Sequence, residues 1–253
     1  MIIINNVVKI YRYISQSISA IGWMNTGFLV LHRLLFKISY GNIRIFKYQL
    51  VAQPVNNNSF LPLARGKKIV IRQIDEQDSV IHHFPRPISV IRERFKNGAI
   101  CLVASKDEEF LGFIWLMLGP YQEDEVRARY IPLPTRQAAW DFDVYVNPHY
   151  RLGFTFLRLW DEANRLLSKN GFTWSCSRIS SFNLKSSKSH ASLGAVIFGQ
   201  VVFIELVDWQ VTLASIKPYI HFSLKSDSFP EFFLETSSLS NPYLVKGGKA
   251  AVD

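Results

Sequence analysis

The chain has little cysteine: two residues, Cys101 and Cys176, among 253. Two thiols cannot build a disulfide framework, so the stapled secreted scaffolds are excluded and a reducing, cytoplasmic compartment is expected. Acidic residues are missing altogether from positions 1–74, which carry ten Lys or Arg, whereas positions 75–253 hold 19 basic and 20 acidic residues; the net charge of +9 therefore belongs to the amino-terminal part. Long apolar runs are missing too. A membrane-spanning helix needs ~20 predominantly apolar residues, and Gln16, Asn25, His32 and Arg33 interrupt the one stretch that approaches this. The first residues lack a compact basic start followed by an unbroken apolar core, so neither a spanning segment nor a cleaved signal is expected. There is no Gly-Lys-Ser/Thr phosphate loop and no Gly-x-Ser-x-Gly elbow. The six histidines, His32, His82, His83, His149, His190 and His221, have no acid or cysteine at metal-ligand spacing, so no metal is expected.

What is present is a core-forming composition, 48% hydrophobic, enough for one main domain with appendages. Residues 1–50 read as a basic helical leader: Ile14, Ile18, Ile21, Phe28, Leu31, Leu35 and Ile38 recur at three, four or seven positions, with Arg12, Arg33, Lys37, Arg44 and Lys47 among them. Such a helix, or helix pair, packs on the main domain or on a second subunit of a homo-oligomer with its charges in water, or lies peripherally on an anionic membrane. Residues 51–66, with Pro54, three asparagines, Pro62 and Gly66, read as a linker, 67–236 as the domain, and 237–253 as a mobile tail. The aromatics lie in apolar strand runs rather than between Lys and Arg, so nucleic acid is not an expected partner.

The most informative stretch is Asp141-Phe142-Asp143-Val144-Tyr145-Val146-Asn147-Pro148-His149-Tyr150-Arg151-Leu152-Gly153. Asp141 and Asp143, two apart in a strand, are expected on one face. Pro148 ends the strand, and Phe156, Leu159, Ala163, Leu166 and Leu167 mark a helix from near Gly153. Its first turn offers unpartnered N–H groups and the positive end of the dipole, which suits a phosphate, and Arg151 adds a charge. Upstream, Lys68–Ile74 reads as a strand, Glu76–Asn97 as two short helices broken at Pro85 and Pro87, and Ala99–Ser105 with Phe110–Leu118 as a hairpin. Downstream, Phe172–Ile179 reads as a strand, followed by a helical segment and the strands Ala195–Leu206 and Asp208–Ala214. Gly119–Gln137 reads as a long loop, a wall or lid.

Asn183, Ser186, His190 and Gly194 follow the second of these strands at fixed spacings. With the strand-Pro-Arg-Gly-helix unit, this resembles the GNAT superfamily of N-acetyltransferases over roughly 68–213. The resemblance implies an α+β fold, a mixed, mostly antiparallel central sheet flanked by helices, here with an N-terminal helical extension. It also implies an N-acyltransferase that moves an acetyl or other acyl group from acetyl-CoA or another acyl-CoA to a small-molecule or peptide amine by direct attack. Val144, Val146, Arg151, Leu152, Gly153, Phe154, Thr155, Phe156 and Asn183 would hold the donor. Asp141 or Asp143 would take the proton of the amine, and His190, standing where the family usually has Tyr, would protonate the leaving sulfur. This turn keeps one displaced Gly and carries two Phe where the family has small residues. Two alternatives stay open: an acyl carrier protein as donor, an acidic partner drawn to the basic leader, or a non-catalytic GNAT-like binding module.

Overall fold

The structure, a computed structural model, describes residues 2–62, 64–225 and 227–243, and side chains from Val8 onward apart from those of residues 9 and 10. Its elements in chain order are α1 (Ile2–Ile38), β1 (Ile43–Pro54), β2 (Val70–Ile74), a 3-10 turn (Ser79–His83), α2 (Ile88–Lys96), β3 (Ile100–Lys106), β4 (Glu109–Met117), β5 (Tyr121–Gln122), β6 (Arg129–Leu133), β7 (Ala138–Val146), a 3-10 turn (Pro148–Tyr150), α3 (Thr155–Lys169), β8 (Trp174–Ser180), α4 (Leu184–Ser192), β9 (Val196–Leu206), β10 (Trp209–Ala214), β11 (Ile220–Ser223) and β12 (Glu231–Glu235). They fall into two compact units, one from the chain up to Val51, Gln122–Arg129 and Arg178–Phe232, the other from Ala52–Tyr121, Tyr130–Ser177 and the described residues from Phe233.

In the second unit the strand order is β8-β7-β4-β3-β2. β2, β3, β4 and β7 are antiparallel neighbours, and β7 meets β8 in parallel. The β3–β4 turn has two left-handed residues, Asp107 (φ 50°) and Glu108 (φ 66°), the signature of a tight hairpin whose twist matches its strands. One face carries a core of Ile74, Ile81, Phe84, Ile91, Cys101, Val103, Phe113 and Trp115 under α2 and the preceding 3-10 turn. α3 packs against β2, β3, β4 and β7, burying Leu159, Trp160, Ala163 and Leu167 along one stripe. That spacing of apolar residues is why the segment is a helix with one buried face.

In the first unit the order is β11-β10-β9-β1, with β9, β10 and β11 antiparallel. α1 breaks at Gly22 (φ 81°, ψ 161°), a conformation that glycine adopts without a Cβ penalty; the leader is thus a helix pair. His32 Nδ1 accepts the Ile45 N–H at 3.0 Å and ties α1 to β1. No helix among the described residues is long and apolar enough to cross a membrane.

Four expectations differ from this. Residues 43–54, expected as leader and linker, form β1, which is buried continuously from Leu50 to Pro54. The expected loop 119–137 contains β5 and β6, and the chain after Ala214 adds β11 and β12. Of the expected mobile tail, 244–253 lies outside the described residues, whereas Asn241 is buried and its amide donates to the Thr173 carbonyl at 2.8 Å.

Candidate functional site

β7 is paired with β8 at Ala138–Trp174, Ala139–Ser175 and Trp140–Cys176. β7 runs on from there to Val146, still paired with β4 through Gly112 and Phe113. Its other edge, from Asp141 onward, lies beyond the registered pairs with β8.

Asp141 and Asp143 do not share a face. Phe113 pairs with Tyr145 and Trp115 with Phe142, so β7 has one residue more than β4 between these pairs. This is a β-bulge, and Asp143 sits in it with φ 48°, a left-handed conformation that Asp tolerates better than most residues. The bulge turns Asp143 to the α2 side. There Arg86 Nε donates to Oδ2 at 2.8 Å, Arg86 also bonds Oδ1, and Arg94 donates to Oδ2 at 2.6 Å. The Arg94 guanidinium also lies over the rings of Phe142 (5.1 Å) and Trp115 (5.5 Å). Asp143 is thus committed to two arginines.

Asp141 projects to the opposite face from Phe142, where α3 packs. It is 1% exposed, and Ser175 Oγ donates to its Oδ1 at 2.6 Å. Burial pushes its carboxyl up to about 7, against the pull of the Ser175 and Ser177 hydroxyls and its own backbone N–H. Near neutrality it can therefore hold or release a proton. Asn164 of α3 is also buried, and neither of its side-chain amide atoms has a hydrogen-bond partner among the described residues. No basic side chain is bonded to Asp141 among the described residues, so its environment differs sharply from that of Asp143.

After β7, Asn147 Oδ1 caps the 3-10 turn by accepting the His149 N–H at 3.1 Å, and α3 begins at Thr155 with no side-chain cap. Arg151 is exposed and its Nε donates to the Val146 carbonyl at 3.2 Å, leaving its terminal nitrogens available. Two further cations stand at the same turn. The Arg65 guanidinium is 5.9 Å from the centre of the Phe154 ring, and Gly66 lies so close to Arg158 that a Cβ there would be 3.1 Å from Arg158 Cγ. Arg158 Nε is buried with no partner, and none of the three guanidiniums is in an ion pair among the described residues. Arg65 was not legible from sequence because only the folded 65–66 segment brings it to the start of α3; Arg158 is the fourth residue of α3 itself and was passed over.

The turn fits a phosphate in part. No residue of 151–154 has positive φ, and the Gly153 N–H is spent on the Tyr150 carbonyl at 3.1 Å, so no glycine nest forms. The anion-binding capacity rests on the guanidiniums and the uncapped helix start. Leu152 is fully exposed, Phe154 packs on Gly66, and Phe156 packs edge-on against Trp160. Val144 and Val146 are half-buried on β7.

The remaining expected residues lie in the first unit. Asn183 is the N-cap of α4, its Oδ1 accepting the Ser186 N–H at 3.1 Å. His190 is buried, and burial pushes its imidazole down to about 4. At pH 7 it is a neutral ring rather than a group titrating near the operating pH, which argues against it as a proton reservoir for a leaving thiolate. The same unit contains a charged brace. Arg178 Nη2 donates to Glu123 at 2.9 Å and Glu125 at 2.7 Å, its guanidinium lies 4.2 Å from the centre of the Tyr48 ring, and Tyr48 Oη donates to Glu125 at 2.7 Å. This ties 122–129 to β1. Burial pushes Glu123 up and Arg178 pulls it down. No group of three His, Cys, Asp or Glu that could hold a metal occurs among the described residues, and both cysteines are buried thiols.

No family model matches the chain, and no curated protein matches it. Among solved structures it is similar to a conserved protein of unknown function from Staphylococcus epidermidis (12% identity over 69% of this chain and 67% of that one, TM-score 0.47). It is similar to an aminoglycoside acetyltransferase from an uncultured soil metagenomic sample (10% identity, 51% of this chain and 88% of that one, TM-score 0.37). It is also similar to a tandem GNAT protein from the clavulanic acid biosynthesis pathway (12% identity, 63% of this chain, TM-score 0.43), of which it spans 53% of the length. These are likenesses in the path of the chain and bring no residue's role with them.

Proposed function

We propose that the second unit is an acyltransferase domain that moves an acyl group from a CoA thioester to an amine. The observation that carries this reading is the end of the β7–β8 register at Trp140–Cys176 while β7 continues to Val146 and leads to the cation-ringed start of α3. In this reading the pantetheine lies along the free edge of 141–146, pairing with backbone groups as an added strand would. The pyrophosphate meets the first turn of α3, with Arg151, Arg65 and Arg158 supplying the charge. The amine nitrogen attacks the thioester carbonyl carbon, the C–S bond breaks, and the leaving thiolate takes its proton from water. Backbone N–H groups of the free β7 edge stabilise the developing oxyanion. Asp141, through the Ser175 hydroxyl, takes the proton lost by the amine, and Asp143 holds the bulge in place.

The test is release of free CoA thiol from acetyl-CoA and a longer acyl-CoA with a panel of amino sugars, amino acids, peptide N-termini and polyamines. At least one pair should turn over, and Asp141→Asn should lower kcat by about 10²–10⁴-fold with acetyl-CoA binding intact. Turnover unaffected by Asp141→Asn would remove Asp141 from the chemistry. Turnover only with an acyl carrier protein thioester would change the donor, and none with any donor would leave a binding module.

A further inference from the structure

The first unit contains a buried cation that lies outside the proposed donor site. Lys47 of β1 is 6% exposed, and its ammonium has no acidic partner among the described residues. Nζ lies 4.8 Å from the centre of the Phe28 ring and 3.8 Å from Met24 Sδ, both on α1, while the Lys47 backbone carbonyl accepts the Ser181 N–H. A ring face and a thioether are weak partners for an ammonium taken out of water. Burial accordingly pushes the lysine's pKa down. Replacing this lysine by an apolar residue would remove that cost, so the charge needs a counterpart to be worth keeping.

Lys47 lines a cleft of about 680 Å³, within the range of small-molecule sites. The other walls are mostly apolar: Phe28, Ile197, Val202 and Leu213, with Gly199 letting Leu50 and Ile216 pack tightly beside it. Ser215 also lines it; its Oγ accepts the Gln200 N–H at 2.8 Å, which leaves the hydroxyl hydrogen for a ligand. We propose that this cleft binds an amphipathic monocarboxylate, its carboxylate paired with the Lys47 ammonium and reached by the Ser215 hydroxyl, and its hydrocarbon body against Phe28, Ile197, Val202 and Leu213. A phosphate ester fits less well, since its higher charge and three oxygens call for several donors and the cleft supplies a single cation. An uncharged lipid would leave the ammonium unpaired.

The test is titration calorimetry of the full chain with decanoate, and with decanol as the same chain without the charge. Decanoate should bind at least ten-fold more tightly than decanol, and Lys47→Met, which keeps the length of the side chain and deletes the charge, should abolish that difference. Equal affinity for the two, no binding of either, or an unchanged preference in Lys47→Met would overturn the proposal. If Lys47→Met fails to fold, Leu213→Trp, on the partly exposed wall, decides: decanoate affinity should fall at least ten-fold by occlusion, and undiminished affinity would overturn the assignment.

Discussion

Asp141 and His190 are both buried titratable groups, and each leaves a signature in the pH dependence of stability. In the unfolded chain Asp141 loses its proton near its ordinary value of 3.8, whereas in the native state it keeps it to about 7. Between those values the native protein holds the extra proton, so stability falls as pH rises across the window. Asp141→Asn, which can still accept from Ser175, should be more stable than the parent at pH 8 by up to about 4 kcal/mol and nearly equal at pH 4, as measured by urea unfolding. His190 acts in the opposite direction. The unfolded chain protonates below 6.5 and the native state only near 4, so its share of stability is complete above 6.5 and is lost as pH falls towards 4. His190→Leu should flatten the acid side of the profile by up to about 3 kcal/mol. Arg94 is nearly buried with Asp143, at 10% and 11% side-chain exposure, and Arg94→Ala should cost about 3 kcal/mol, the low end for breaking a buried pair because Arg86 stays bonded. Arg86→Ala, losing the more exposed partner, should cost roughly 1 kcal/mol.

At the scale of elements, β7 depends on the close approach of β4. A Cβ on Gly112 would collide with the Tyr145 carbonyl and stand 3.1 Å from Val146 Cα, so backbone would have to move. Gly112→Ala should destabilise by about 2–3 kcal/mol, and amide exchange should speed up along 141–146 more than along β2 and β3. The same stretch explains what could be read from sequence. Apolar runs and helical spacing placed β3, β4, β7, α3 and β9 within a few residues: β3 and β4 are buried on both faces and read as continuous apolar runs, and α3 carries one apolar stripe. The parity of Asp141 and Asp143 was not legible, since one extra residue in a bulge reverses a side chain and only the β4 register reveals it. β1 was obscured because Arg44 and Lys47 continue the basic composition of the leader, while its apolar positions are those of a strand buried by neighbours distant in sequence. The burial of His190 was not legible either, because α4 has only a weak apolar stripe.

At the scale of the molecule, the proposed donor site belongs to the second unit and the Lys47 cleft to the first, each with its own charge logic. The net charge of +9 lies in residues 1–74, yet the cations at the donor site come from three separate positions in the chain, Arg65, Arg151 and Arg158, so charge distribution along the sequence and charge at a site are different quantities. The most direct measurement is thermal unfolding of the purified protein with saturating acetyl-CoA, free CoA or a longer acyl-CoA, alone and with Arg151→Ala and Arg158→Ala. A ligand at 100 times its Kd stabilises the native state by about 2.7 kcal/mol. The account predicts an upward shift in Tm with each CoA species, reduced in both arginine variants. No shift with any of them would contradict a CoA thioester site on β7 and α3.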